Sequence, residues 1–294
     1  MYEKATIEAV LGAPAAKYAG NKNRGGRNNA KGATYESYFA AARLASLMAD
    51  ALGAGRDGRD TWIQEQQLCF IDDLIVDQPH ERRFSQLKSG ATTAWTGGDH
   101  PIKDDFCMQR ALDQALEING VYELVVPSAE QRDALAADRP DEVVAEVIHF
   151  SNERELGALI ENDAQLAAAL DAIAIWDPQA SVRRKTFETL LAAWVTSPDK
   201  ISLADFAMHA ADGPGPVTTV LGPEYVLPKV VSDHLASQGL DFEIRKKHLY
   251  YRFGGFKGYS ASRAGTPAFT RFEDFVVNER PGPFEMIAAL QERA

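Results

Sequence analysis

The hydrophobic and polar positions of the first half of the chain alternate between helical and strand periods. Helical spacing predicts a helix over residues 34–52, with Thr34 as its N-cap and Gly53 as its stop signal. Apolar and β-branched runs predict strands at 61–70, 74–77, 82–88, 122–126 and 142–150, and helical spacing predicts further helices at 103–119 and 128–137. This order of elements indicates an α/β fold in which a mixed sheet is flanked by helices.

The remainder of the chain has mainly helical spacing. Helices are predicted at 156–175, 183–195 and 225–238, and Ser202 is a suitable cap for a shorter one. After them, the apolar residues change strand parity at Lys246 and Lys247, which predicts a turn or a bulge there in a β-hairpin. We therefore expect two domains, residues 1–152 with the mixed sheet and residues 153–294 as a mostly helical domain with a C-terminal hairpin.

One segment near the N-terminus lacks an apolar period. Residues 20–32 are rich in Gly and Asn and locally basic, which predicts a mobile loop. Its cations, which are suited to contacts with phosphate, are Lys22, Arg24, Arg27 and Lys31. A solvated arm without a partner explains the same composition equally well.

Composition and charge narrow the classes of protein. The 294 residues are 45% hydrophobic and 25% charged, which is typical of a globular protein. No apolar run approaches the length of a membrane span and no signal peptide is recognisable, so we expect a cytoplasmic protein with no membrane contact. Cys69 and Cys107 are too few for a disulfide framework and fit a reducing compartment. The net charge of −11 means that any nucleic acid must be bound by local basic patches.

Polar side chains lie at the ends of two neighbouring predicted strands. Asp72 and Asp73 open the first strand. Gln86 and Lys88 close the second strand, where they share a face because they are two residues apart. If the strands pair as a hairpin, the acids, the amide and the ammonium meet at one edge. A carboxylate can bind a hard divalent cation and an ammonium can steady a phosphate, and hydrolysis of a phosphodiester needs both.

The order of these residues resembles that of the PD-(D/E)XK nuclease superfamily. Its members typically have Gly-x-x-Tyr-Glu/Gln on a first helix, then a strand with an acid, an Asp-Asp-Ile/Leu-Val strand and a Gln-x-Lys strand. The matching segments are residues 32–36, Glu65, residues 72–76 and residues 86–88. The chain is most similar to the effector nucleases of bacterial anti-phage systems of the CBASS type. The resemblance covers residues 30–150 and implies a restriction-endonuclease-like fold.

The resemblance implies a role for each matching position. Asp73 would bind Mg²⁺ or Mn²⁺ directly, and Gln86 would offer the metal a neutral oxygen. Lys88 would orient the attacking water and balance charge on the phosphate, while Glu36 would complete the site or bind a second metal. The candidate metal ligands are therefore Asp73, Gln86, Glu65 and Asp72.

Basic residues near the site and in the predicted hairpin are candidates for contact with nucleic acid. They are Arg24, Arg27, Lys31, Arg82, Arg83, Lys246 and Lys247. Aromatic residues follow the last two, and such rings can stack on bases or anchor a protein interface. A hairpin with one core face and one solvated face explains the same pattern.

The function implied by the resemblance is that of a Mg²⁺-dependent deoxyribonuclease, an effector of prokaryotic antiviral defence. Its partners would be DNA, in double-stranded form, and a second copy of the chain or another defence protein. One alternative is a catalytically weak subunit that keeps the nuclease fold for binding or scaffolding. Gln86 fits either this alternative or a metal site that depends on bound DNA, because an amide in place of a carboxylate weakens the attraction for a dication. The Gln-x-Lys strand of the resembled nucleases favours an active enzyme. A nuclease acting on RNA or single strands is a third hypothesis.

Each candidate residue also has a purely structural explanation. Asp72 and Asp73 before an apolar strand are typical of a turn, and Glu36 in a first helical turn is favoured by the helix dipole. Lys88 at a strand end is typical of a solvated edge charge. The occurrence of these features together, in the order that a nuclease core requires, favours the functional interpretation.

Overall fold

The computed structural model of the chain describes residues 2–29, 34–90, 92–98, 100–211, 215–217, 225–245 and 247–291, with the main chain alone at residues 25–29. The helices are α1 (Lys4–Leu11), α2 (Ala13–Asn29), α3 (Thr34–Gly53), α4 (Ile102–Ala115), α5 (Ala129–Ala137), α6 (Leu156–Glu161), α7 (Ala164–Ile173), α8 (Ala180–Thr196), α9 (Leu203–Ala211), α10 (Lys229–Ser237), α11 (Pro267–Glu279) and α12 (Pro283–Gln291). The strands are β1 (Trp62–Gln64), β2 (Leu74–Gln78), β3 (Glu81–Leu87), β4 (Gly120–Val126), β5 (Glu146–His149), β6 (Lys200–Ser202), β7 (Asp241–Arg245), β8 (His248–Phe253) and β9 (Phe256–Tyr259). None of the helices in these ranges has the length and apolar character needed to cross a membrane.

A mixed sheet, with six strands over the described residues, forms the centre of the fold. Its strand order is β5-β4-β3-β2-β1-β6. The strands β3, β4 and β5 run parallel, and the other neighbours are antiparallel. In the predicted hairpin of β2 and β3, Leu74 lies opposite Ser85. The prediction of a mixed α/β sheet flanked by helices is therefore confirmed.

Each face of the central sheet has its own hydrophobic core. Phe84 and Leu124 are buried in one core with residues of α1, α2, α4 and α5. Leu87 and Val125 are buried in the other core with residues of α3 and of α6 to α9. This division follows the alternation of side chains along a strand, which sends neighbouring residues to opposite faces.

The hydrophobic core does not divide between residues 152 and 153, where the sequence predicts a domain boundary. The strand β6 extends the edge of the sheet, with Ile201 opposite Ile63. Leu170 and Trp194 pack in the same core as α3. Without these later residues α3 would remain on this face of the sheet, but the apolar side chains that pack against α6 to α9 would be open to water. The change to helical spacing therefore marks the second layer of one core, and the predicted boundary falls inside a packed unit.

A separate core begins with the residues after 225. The helices α10, α11 and α12 pack on the sheet β7-β8-β9, and they bury Leu235, Leu249 and Phe269. The prediction of a helical C-terminal region is confirmed. The predicted turn is present, with Lys247 in the left-handed region at φ 64°, and β9 extends the hairpin to a third strand.

The prediction of a mobile loop at residues 20–32 is wrong over most of its length. The helix α2 continues to Asn29, and residues 30–32 lie outside the described residues. Tyr18 stacks on Phe70 at a centroid distance of 6.2 Å, which anchors the helix against the core. Tertiary contacts therefore outweigh the low helix propensity of the Gly and Asn residues.

Several other predicted elements are shorter than expected, among them the strand predicted at 142–150, of which β5 is only the last part. The strand predicted at 61–70 is limited to β1, because Gln66 takes a left-handed conformation at φ 49° and its N–H donates to the Asp72 carbonyl at 2.8 Å. The helix predicted at 156–175 divides into α6 and α7. The Asp163 side chain accepts from the main-chain N–H groups of Gln165 and Leu166, and so caps the second helix.

Candidate functional site

The acid and the amide of the predicted site meet at one end of the β2–β3 hairpin. Asp73 directly precedes β2, and its Oδ2 accepts a hydrogen bond of 2.7 Å from the main-chain N–H of Leu87. The same oxygen accepts from the side-chain amide of Gln86. The juxtaposition follows from the register, because Leu74 opposite Ser85 brings Asp73 beside the last residues of β3.

Glu36, on the first turn of α3, lies within the electrostatic reach of these residues. Burial raises the pKa of Glu36 to about 7, and the negative charges of Asp73, Glu65 and Asp72 contribute to the increase. The positive charge of Lys88 opposes it. The charges of Asp72, Asp73, Glu65 and Lys88 therefore all act on the carboxyl group of Glu36, which precedes them on a separate helix.

Glu65 and Lys88 directly follow β1 and β3, the two strands on either side of β2. The main-chain N–H of Glu65 donates to the Asp199 carbonyl at 3.2 Å, just before β6. Burial raises the pKa of the Glu65 carboxyl, and the charge of Asp199 adds to the effect. The main-chain N–H of Lys88 donates to the Val125 carbonyl at 2.9 Å, so β4 sets the position of its backbone.

An ammonium group from α2 lies at the centre of the polar cluster. Lys22 Nζ donates to Gln86 Oε1 at 2.8 Å and to Asp105 Oδ2 at 2.9 Å, and it also donates to the Phe70 carbonyl. Asp72 Oδ1 lies 3.5 Å from the same nitrogen. The sequence predicts Lys22 only as a phosphate contact in a loop, and it does not predict any role for Asp105.

The signal for these two residues in the sequence is weak. Lys22 lies four residues after Tyr18, so the two share a helix face, but the Gly and Asn content around them indicates a loop. Asp105 lies in the first turn of α4, where an acid is favoured by the helix dipole without any other role. Only the packing of α2 and α4 on the sheet brings the pair together.

The charged groups of the cluster shift one another's pKa values. Burial works to lower the pKa of the Lys22 ammonium, but the charges of Asp72 and Asp105 outweigh it and raise that pKa above its ordinary value. Burial raises the pKa of the Asp72 and Asp73 carboxyl groups, and Lys22 opposes the shift in both. Lys22 therefore remains charged and partly neutralises the acids around it.

The residues as they lie do not fit a bound metal. Over the ranges that the structure describes, no group of three or more His, Cys, Asp or Glu side chains is arranged to bind one. The Gln86 oxygen, which the sequence assigns to the metal, accepts from Lys22, and the Gln86 nitrogen donates to Asp73. A carboxylate on one side and an ammonium on the other leave only this orientation of the amide.

The two arginines of β3 that the sequence predicts as nucleic-acid contacts form ion pairs with acidic side chains. Arg82 pairs with Asp77 at 2.6 Å, and Arg83 pairs with Glu81 at 2.8 Å and with the buried Glu123 at 2.6 Å. These ion pairs explain both arginines without nucleic acid.

The other predicted nucleic-acid contacts are on α2 and in the C-terminal turn. Arg24 is exposed on α2, and its guanidinium donates to Asn21 at 3.4 Å. Lys247 is half-buried, and its carbonyl accepts from Ala264 at 2.7 Å. Lys31, Lys246 and the side chain of Arg27 lie outside the described residues.

The chain matches no family model, no curated protein sequence and no solved structure. The resemblance to nucleases therefore depends on the short motifs of this chain and on the positions that their residues occupy.

Proposed function

We propose that this chain is a metal-dependent endonuclease that hydrolyses phosphodiester bonds of DNA and has a restriction-endonuclease-like N-terminal fold. The observation that carries the proposal is the convergence at one end of the β2–β3 hairpin. Asp73 and Gln86 are joined by a hydrogen bond, and the charges of Asp73 and Lys88 both act on Glu36. A turn or a solvated strand end does not require these residues to converge.

The chain's own groups supply most of what the reaction needs. The carboxylates of Asp73, Glu36 and Glu65 are oxygen ligands of the kind that Mg²⁺ and Mn²⁺ prefer. In the proposed reaction the Lys88 ammonium steadies the phosphate or orients the attacking water. A divalent metal, when bound, would supply a Lewis acid. In this proposal the observed arrangement, in which Lys22 lies among the acids, is the resting form of the enzyme.

The proposed setting is prokaryotic antiviral defence in the cytoplasm, as the resemblance to CBASS-type effectors suggests. Cleavage of both strands of a duplex by one active site per chain implies two copies, or one copy with another defence protein. The genes beside this one would test the setting, because an effector is encoded next to the component that activates it.

The experiment is cleavage of supercoiled plasmid with Mg²⁺ or Mn²⁺ by the purified protein and its variants. We expect Asp73→Ala and Lys88→Ala to lower the rate about 100-fold or more, since the first removes a carboxylate that would hold the metal and the second removes the ammonium that would steady the phosphate. Asp57→Ala and Lys17→Ala, at exposed positions, are the matched controls and should cut like wild type. Cleavage that survives both site substitutions would show that the site is misassigned.

The second candidate function is a binding or scaffolding subunit that keeps the fold without cutting. The position of Lys22 favours it, because an internal ammonium already balances the charge of the acids. The net charge of −11 also disfavours a free-standing DNA binder. This function would be supported if wild type cleaves no DNA or RNA, alone or with the products of neighbouring genes.

A further inference from the structure

The surroundings of Lys22 have the composition of a cation site. Among the described residues, the oxygens next to its ammonium are the Phe70 carbonyl, Gln86 Oε1, Asp105 Oδ2 and Asp72 Oδ1. A main-chain carbonyl, a side-chain amide and two carboxylates are the ligand types that Ca²⁺ and Mg²⁺ select. We name these four oxygens the Lys22 pocket.

The Lys22 pocket offers more acceptors than an ammonium can satisfy. An ammonium has three N–H donors, and Phe70, Gln86 and Asp105 accept them. Asp72 Oδ1 is left with a charge contact at 3.5 Å and finds no hydrogen-bond donor among the described residues.

The second oxygen of Asp105 accepts no hydrogen bond of ordinary geometry within the described part of the chain, although its carboxylate interacts with the nearby Tyr18 hydroxyl. Asp72 is only 1% exposed and Asp105 only 7% exposed, so water is largely excluded from both carboxylates. Unsatisfied acceptors of this kind are costly in a buried site. A dication accepts six or more oxygens and balances two carboxylates, so it matches the Lys22 pocket better than a single ammonium does.

The segment that carries Lys22 is intrinsically weak as a helix. The second half of α2 contains Gly20, Gly25 and Gly26 together with four asparagines, all of which have low helix propensity. Among the side chains of this half that the structure describes, Lys22 and Asn23 hold it to the core by hydrogen bonds, with the Asn23 amide donating to the Gln66 carbonyl. Lys22 can therefore leave by local unwinding of α2, without disruption of the sheet.

We propose that the Lys22 pocket is a divalent-cation site that Lys22 closes, and that the second half of α2 is the latch that opens it. In the proposed nuclease, the latch would control access of the metal to the site, and this consequence for catalysis rests on the proposed function. While Lys22 is in place, Gln86 Oε1 accepts from its ammonium and is closed to a cation. Release of Lys22 makes that oxygen a ligand for a cation in the pocket, beside Asp73.

The test is binding of Mn²⁺ to the full chain without any substrate, measured by titration calorimetry and by the electron paramagnetic resonance signal of free Mn²⁺. Lys22→Met keeps the length of the side chain and removes the charge. We expect it to bind one Mn²⁺ at least tenfold more tightly than wild type, with a melting temperature that rises on addition of Mn²⁺. Lys17→Met, on the exposed face of the same helix, is the matched control and should behave like wild type.

A double variant locates the site. Lys22→Met with Asp105→Asn removes one of the two carboxylates, and it should lose most of the affinity that Lys22→Met gains. The proposal is overturned if Lys22→Met binds Mn²⁺ no better than wild type, or if the double variant binds as tightly as the single one. If Lys22→Met does not fold, Lys22→Gln decides by the same criteria, because its amide can still donate a hydrogen bond to the pocket.

Binding and cleavage separate the two proposals. Mn²⁺ binding by Lys22→Met without any DNA cleavage would support the latch and contradict the nuclease. Cleavage by wild type together with no gain of binding in Lys22→Met would support the nuclease and overturn the latch.

Discussion

At the scale of single residues, Gln86 connects the two halves of the polar cluster. Its oxygen accepts from the Lys22 ammonium, and its nitrogen donates to the Asp73 carboxylate. A glutamate at this position could not donate to Asp73 and would place two negative charges in contact. In the sequence, the amide of Gln86 stands in place of a carboxylate ligand. In the structure, only an amide can both accept from Lys22 and donate to Asp73.

Glu36 gives a prediction for the pH dependence of stability. Burial and neighbouring acids raise its pKa from the ordinary 4.5 to about 7 in the folded chain. Between these two values the folded state keeps a proton that the unfolded state releases, so the free energy of unfolding falls as the pH rises and levels off above about 7. Glu36→Gln removes this contribution. The free energy of unfolding of the variant minus that of wild type should therefore increase by about 1–2 kcal/mol between pH 5 and pH 8.

Urea unfolding of wild type and Glu36→Gln at pH 5, 6, 7 and 8 measures this difference. Glu8→Gln, at an exposed position on α1, is the control and should give a curve parallel to that of wild type. Wild type and Glu36→Gln with parallel curves would contradict the assignment of a buried acid to Glu36.

At the scale of secondary-structure elements, α2 is a helix that its own sequence does not favour. Ala16 and Ala19 are fully buried, and Tyr18 stacks on His100 at a centroid distance of 4.2 Å. These contacts anchor the first half of α2. Lys22 anchors the second half through hydrogen bonds to the buried oxygens of the Lys22 pocket. An element of this kind has low local stability, which suits a segment that moves in function.

Gly20 provides a test of that local stability. A Cβ at this position has no atom within 4 Å, so Gly20→Ala fits without strain. We expect the substitution to stabilise the chain by about 1 kcal/mol, because alanine loses less backbone entropy in a helix. Hydrogen exchange of the α2 amides should slow by the corresponding factor. Gly97→Ala, at a φ of 103°, is the contrasting variant and should destabilise the chain; faster exchange in Gly20→Ala would contradict the account of α2.

At the scale of the whole molecule, the N-terminal sheet is completed by residues far along the chain. The strand β6 and the helices α7 and α8 cover the edge and one face of a sheet whose other strands end by residue 149. The residues after 225 have their own core. Their contacts with the part that contains the six-stranded sheet include a hydrogen bond of 2.7 Å from Trp176 to Tyr259, one from Tyr250 to the Ile175 carbonyl, and an ion pair of 3.6 Å between Arg245 and Asp177. The main structural division is therefore after residue 217.

Truncation tests this division. A chain of residues 1–217 should unfold cooperatively in urea and elute as a compact species, since both faces of its sheet are covered. A chain of residues 1–152 should aggregate or bind a hydrophobic dye, since it exposes the apolar face that Leu170 and Trp194 cover. A folded, monomeric 1–152 would show that the boundary predicted from the sequence is the correct one.

The sequence by itself determined the features that depend on local periods. The apolar runs predict the β2–β3 hairpin, and its register brings Asp73 beside Gln86 at one end. These features follow from geometry that spans only a few residues.

Only the tertiary structure decided which distant groups join the site. Lys22 and Asp105 are 83 residues apart and meet because α2 and α4 pack on one face of the sheet. The strand β6 joins β1 because an edge and an apolar face must be covered. Such contacts form because they lower the free energy of the whole packed core. No local pattern of residues predicts them.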